Sequence, residues 1–179
     1  AEKNMLFHSR RIGLDSGTPV PILAGHKLTG QATKNLRVGF LNVATEAQGD
    51  LPWTSHMVWR ALNEFEFGSN AGLMITHRQS LEDPDSFNTV VGVDGSWRSP
   101  HIPLVIDTFG LLSHTGTAEG GSTSEVESAG GAESASGDTQ QEIQPAVALD
   151  ITWRGSLIRP RIGYNFFPED FRADLGFFR

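Results

Sequence analysis

Three groupings of side chains in this 179-residue sequence have chemistry worth weighing. The first sets a histidine beside a serine, at His8-Ser9 and again at Ser55-His56. A nucleophile and its base must meet on one face within hydrogen-bond reach, whereas adjacent residues of a strand point to opposite faces. No Gly-x-Ser-x-Gly elbow occurs either, so no catalytic residue is assigned and the chain is not expected to be an enzyme. The second grouping is metal-like. The six histidines, His8, His26, His56, His77, His101 and His114, never recur at i+2 or i+4, and the absence of cysteine removes thiolate ligands. Glu82-Asp83-Pro84-Asp85 has the oxygens for a hard cation but reads more simply as a solvated turn. Neither a metal nor a cofactor is expected.

The third grouping is the informative one. Arg60, Arg78, Arg98, Arg154, Arg161 and Arg172 are interleaved with Asp94, Asp150 and Asp174. Gathered on one polar face, such residues either pair into a network that stiffens a wall or line a path for anionic or sugar-like solutes. The pairing reading is preferred, because the acids recur at comparable positions. The candidate site is therefore Arg60, Arg78, Asp94, Arg98, Asp150, Arg154, Arg161 and Arg172, all as residues facing a lumen.

The elements that must carry these side chains alternate with period two, as half-buried strands do. Val147, Leu149, Ile151 and Trp153 oppose Ala146, Ala148, Asp150, Thr152 and Arg154. Ile162, Tyr164 and Phe166 oppose Arg159, Arg161, Gly163 and Asn165; Phe171, Ala173, Leu175 and Phe177 oppose Arg172, Asp174 and Gly176. Val91, Val93 and Trp97 oppose Asn88, Gly92, Asp94, Ser96 and Arg98. Met57, Trp59 and Ala61 alternate with Val58, Arg60, Leu62 and Glu64, and Leu73 and Ile75 with Gly72, Met74, Thr76 and Arg78. Residues 6–14, 22–31, 36–45 and 104–113 complete nine or ten strands. A slip in the alternation near Leu41-Asn42 suggests a bulge. Over 58–67, Trp59, Leu62 and Phe65 also sit near helical spacing, which leaves a helix as the competitor there.

Composition narrows the class. Twenty glycines and nine prolines suit turn-rich β structure better than helices. No stretch approaches the roughly 18 apolar residues of a membrane-spanning helix. Of the net charge of -7, six negative charges fall on Glu119, Glu125, Glu127, Glu133, Asp138 and Glu142, and no lysine or arginine lies between Arg98 and Arg154. The remainder is nearly neutral, with no basic footprint for nucleic acid. Residues 115–144, made of Gly, Ser, Thr, Ala and acids, read as a long flexible external loop within a single domain spanning 1–179.

Alternating strands fit a soluble sandwich or a membrane barrel, whose apolar faces point inward and outward respectively. Arginine outnumbers lysine 11 to 3, and the polar faces carry Arg, Asp, Asn, Thr, Ser and Gly rather than the Lys and Glu of a solvated surface. Aromatics gather toward expected strand ends, at Trp97, Trp153, Tyr164, Phe166, Phe167, Phe177 and Phe178, as girdles do. Short turns at 68–70, 99–101 and 155–156 alternate with longer connections at 46–53, 80–87 and 115–144, the rim asymmetry of outer-membrane barrels. The expected fold is all-β, an antiparallel up-and-down transmembrane barrel, partial and open.

The runs Leu6-Phe7-His8-Ser9-Arg10-Arg11-Ile12-Gly13, Pro21-Ile22-Leu23-Ala24-Gly25-His26-Lys27-Leu28-Thr29-Gly30 and Val38-Gly39-Phe40-Leu41-Asn42-Val43-Ala44-Thr45 resemble successive motifs of a known family. It is an uncharacterised bacterial outer-membrane β-barrel domain that usually follows a family-nine carbohydrate-binding module. Thr76-His77-Arg78, Gly92-Val93-Asp94 and residues 171–178 are similar to its later motifs. The resemblance implies location in the bacterial outer membrane and a membrane wall or pore for carbohydrate-related solutes. It implies as partners the outer-membrane lipid, the remainder of a longer chain and a carbohydrate-binding module, with this sequence a fragment. A soluble β-sandwich binding module and an outer-membrane hydrolase are the alternatives.

Overall fold

Val, Ile, Thr, Trp and Phe at alternate positions favour an extended pleated backbone, and short turns between such runs leave each strand beside its neighbour in sequence. The computed structural model describes residues 12–15, 18–49, 51–117 and 140–175. A minimal ladder joins β1 (Leu14–Asp15) to β2 (Thr18–Pro19). There follow β3 (Ile22–Gln31), β4 (Leu36–Thr45), β5 (Thr54–Glu64), β6 (Asn70–Ser80), β7 (Phe87–Arg98), β8 (Leu104–Thr117), β9 (Gln140–Trp153) and β10 (Arg161–Phe166). These eight form one antiparallel sheet in the order β10-β9-β8-β7-β6-β5-β4-β3. It is all-β and up-and-down, and among the described residues the sheet is open, with β3 and β10 at its edges.

The connections follow the expected asymmetry only in part, since 154–160 is longer than 81–86. Residues 32–35, 65–69, 99–103 and 154–160 turn at one rim, and 46–53, 81–86 and 118–139 connect at the other. A 3-10 turn, Glu66–Gly68, closes the β5–β6 connection, with Phe67 at φ 57° and Gly68 at φ 73°.

Residues 58–64 are strand, as the alternation expects, and the competing helix is absent there, since their ladder to β6 is unbroken. Several other expectations need correction. No bulge interrupts β4 at Leu41-Asn42; the register shift falls on β3 between Ile22 and Ala24. The flexible loop assigned to 115–144 is too wide, because β8 and β9 remain paired out to Thr117↔Gln140. Glycine and threonine at a strand end do not prevent pairing when the facing strand supplies the amides. Residues 171–175 are not a strand, for a reason given below. The proposed strand over 6–14 lies mostly outside the described residues. Its last residue, Leu14, pairs only with Pro19.

The two faces of the sheet differ in character. Even-numbered positions of β5 to β7 share one face with odd positions of β8 and even positions of β9. That face holds Thr54, His56, Val58, Thr76, Ser80, Asn88, Val90, Leu111, Ser113, Thr115, Ala146 and Ala148, all buried. The opposite face carries rows of apolar side chains in register. Leu28, Phe40, Trp59, Ile75, Val91, Leu112 and Pro145 form one row, and Val38, Ala61, Leu73, Val93, Gly110, Val147 and Phe166 the next. Trp59 is 53% exposed and Val93 56%, whereas Thr76 is 1% and Asn88 2% exposed. The covered face mixes small polar residues with Val58, Val90, Leu111 and alanines, while the large apolar residues of the opposite face are exposed.

Candidate functional site

The polar face is the candidate site. Strand parity places Arg60 on β5, Arg78 on β6, Asp94 and Arg98 on β7, Asp150 on β9 and Arg161 on β10 on this one side. Toward the rim of short turns, Arg60 and Asp94 form a bidentate pair, Nη1 to Oδ1 and Nη2 to Oδ2, the second at 2.8 Å. The arginine reaches over β6 to do so, across Gly72, where an added Cβ would lie 2.5 Å from Nη2. Asp150 accepts from Arg161 Nε at 2.5 Å and from the Thr152 hydroxyl at 2.9 Å. Its register partner across β8 is another acid, Asp107. Like charges directly opposite repel, and Arg161 offsets this.

Arg98 and Arg154 stand apart from this network. Both are exposed at strand ends, where the Arg98 N–H donates to Ser69 Oγ and the Arg154 N–H to the Pro103 carbonyl. Neither lies in an ion pair among the described residues.

The alternation over 171–177 expects Arg172 on a strand, and the structure places it on a strap. β10 follows β9 only as far as Phe166↔Val147. Adjacent aromatics at Phe166-Phe167 break the alternation there, Pro168 cannot donate to a ladder, and the Phe171 N–H donates back to the Pro168 carbonyl at 3.1 Å. The chain thus leaves the sheet edge and crosses the polar face. Phe167, Phe171 and Ala173 pack on the buried cluster Val90, Leu111 and Ala146. The Phe109–Phe167 and Phe167–Phe171 ring centroids are each 5.9 Å apart.

Beyond these anchors the strap is held by polar groups of the sheet. Asn88 Nδ2 donates to Ser113 Oγ at 3.2 Å, to Thr115 Oγ1 at 2.9 Å and to the Arg172 carbonyl at 3.2 Å. Its Oδ1 accepts the Asp174 N–H at 3.1 Å. The Ser113 hydroxyl donates to the Arg172 carbonyl at 2.5 Å. Arg78 Nη1 meets Asp174 Oδ2 at 3.1 Å, and Arg172 grips the same carboxylate at 2.7 and 3.0 Å. Asn88 and Ser113 were not candidates by sequence; Asn at an inward strand position among small polar neighbours was the available signal.

The serine–histidine pairs behave as strand geometry dictates. His56 is buried on the polar face, 3.4 Å from Thr45 Oγ1, while Ser55 lies on the other face and accepts from Asn42 Nδ2 at 3.1 Å. His8-Ser9 falls outside the described residues. Among the described residues no three His, Asp or Glu side chains converge as a metal site.

The aromatics divide. Trp97 and Trp153 stand at the rim of short turns. Tyr164 and Phe166 instead sit at mid-height, opposite Leu149 and Val147. Phe167 has crossed to the polar face; Phe177 and Phe178 lie outside the described residues. No family model, no curated protein and no solved structure matches this chain.

Proposed function

We propose that the sheet is part of the wall of an outer-membrane β-barrel, with the apolar face against lipid and the ion-paired face toward a hydrated lumen. The observation that carries this reading is the exposed apolar face, its side chains in register rows, backed by a face of mostly small and polar buried residues. A continuous exposed apolar surface of this extent marks a partner or a membrane, and period-two strands with short turns at one rim and long connections at the other are the pattern of such barrels.

A further feature supports it. The apolar band runs obliquely to the rows, from Leu28, Phe40 and Trp59 on the β3 side to Ile151 and Ile162 on the β10 side. Strands tilted by roughly 35–45° to the membrane normal need such a slant. The lumen face, rich in arginine–aspartate pairs, suits a wall or pore for polar solutes. That these are carbohydrate-related, and that further strands of a longer chain complete the wall, follows from the resemblance in the motifs alone.

The test is depth-sensitive quenching. A variant keeping Trp59 and carrying Phe for Trp53, Trp97 and Trp153 is refolded into vesicles of brominated phosphatidylcholine. Strong quenching of Trp59 is expected. A protein that is monodisperse in buffer without detergent and shows no quenching is a soluble sandwich, and the membrane reading then fails.

A further inference from the structure

Arg60 and Arg161 take their acids, Asp94 and Asp150, from the sheet itself. Arg78 does not. Its register neighbours on the polar face are His56 on β5 and Asn88 on β7, and Thr76 and Ser80 flank it along β6. None of these is an acid, and all four are buried. Its carboxylate comes instead from Asp174, on a segment that belongs to no ladder.

The surroundings are built for an anion. Two guanidinium groups, Arg78 and Arg172, meet the single carboxylate of Asp174, leaving one positive charge in excess. Asn88, 2% exposed, holds the strap by its backbone beside that carboxylate, donating to the Arg172 carbonyl and accepting the Asp174 N–H. His56, 7% exposed and directly across from Arg78, keeps its Nδ1 buried with no hydrogen-bond partner among the described residues. Charge-assisted bonds to carboxylates are about twice as strong as neutral ones, and Arg78 makes its own with an acid that the sheet does not hold in place.

We infer that Arg78 and His56 form a binding site for carboxylate-bearing solutes, with Asn88 holding the strap beside it, and that Asp174 occupies it as an internal stand-in for that ligand. The inference rests on the proposed reading only in requiring that the polar face meet water. A tethered carboxylate competes at an effective concentration of the order of millimolar, and a site free one-tenth of the time binds about tenfold more weakly than its intrinsic affinity.

The experiment measures succinate binding by calorimetry on the full chain in detergent micelles, for the wild type, Asp174→Asn, and Asp174→Asn combined with Arg78→Gln. Asp174→Asn keeps the shape of the strap and removes the competing charge, so succinate should bind about tenfold more tightly. Adding Arg78→Gln should abolish the gain. No gain in Asp174→Asn, or a gain that survives loss of Arg78, overturns the site. Failure of Asp174→Asn to fold also overturns it, since a stand-in ligand is not required by the sheet; Arg172→Gln, which frees Asp174 from its clamp, should show a smaller gain in the same direction. Trp59 quenching reads the opposite face, so its loss with succinate binding intact sinks the membrane reading alone.

Discussion

Gly72 illustrates how one absent methyl group shapes the polar face. The Arg60 guanidinium lies across it to reach Asp94 two strands away, and any Cβ at position 72 would sit 2.5 to 2.7 Å from the guanidinium atoms. The colliding group is the far end of a flexible side chain, so Gly72→Ala should fold but push the arginine off its partner. A double-mutant cycle between Arg60 and Asp94, read by denaturant unfolding, should give a coupling of about 0.5 to 1 kcal/mol for this half-exposed pair. In the Gly72→Ala background the coupling should fall to near zero; an unchanged value would mean that the guanidinium finds another route. The sequence shows Arg60 and Asp94 as candidates but not as partners. Their separation of 34 residues becomes contact only through the β5–β6–β7 register.

At the scale of elements, the difference between the faces gives a paired test. Leu149 lies at mid-strand on the apolar face of β9, and Asn165 is exposed on the polar face of β10. In refolding into vesicles, Leu149→Arg should cost about 2 to 4 kcal/mol, and Asn165→Arg much less. Similar costs would show that both faces meet the same medium. Ala148 is a poorer control than its polar-face parity suggests, because it is 8% exposed and register-paired with Phe109. Most strands were legible because period two and turn chemistry agree along them. The strap was not, since Phe171, Ala173 and Leu175 alternate with Arg172 and Asp174 as in a strand. Extended backbone has that period with or without a ladder, and only Pro168 and the doubled aromatics mark the departure. The ends of the long connection are illegible for the complementary reason: residues 115–117 and 140–144 lack a core-forming composition, yet they continue ladders begun deeper in the sheet.

For the whole molecule, the edges decide behaviour. β3 is exposed along its entire length, as is β10, and an edge strand offers unpaired amides to any other strand. Amides of β3 should exchange with solvent at least about tenfold faster than those of β6 and β7, measured by hydrogen exchange with mass spectrometry in micelles. Equal protection would mean that further strands cover the edge. Up-and-down order has another consequence, concerning divisibility. Every described strand of the sheet is laddered only to its neighbours in the chain, so no connection is threaded past another. Separating the chain within 118–139 would leave a six-stranded piece, β3 to β8, and a two-stranded piece, β9 and β10, each with all its internal ladders. The smaller piece carries the strap, whose Asp174 and Arg172 backbone fit Arg78, Asn88 and Ser113 of the larger. The halves are thus keyed twice, by a fourteen-residue ladder along β8 and by a polar latch toward the rim of the long connections, which makes this architecture suited to reassembly from two separately made polypeptides.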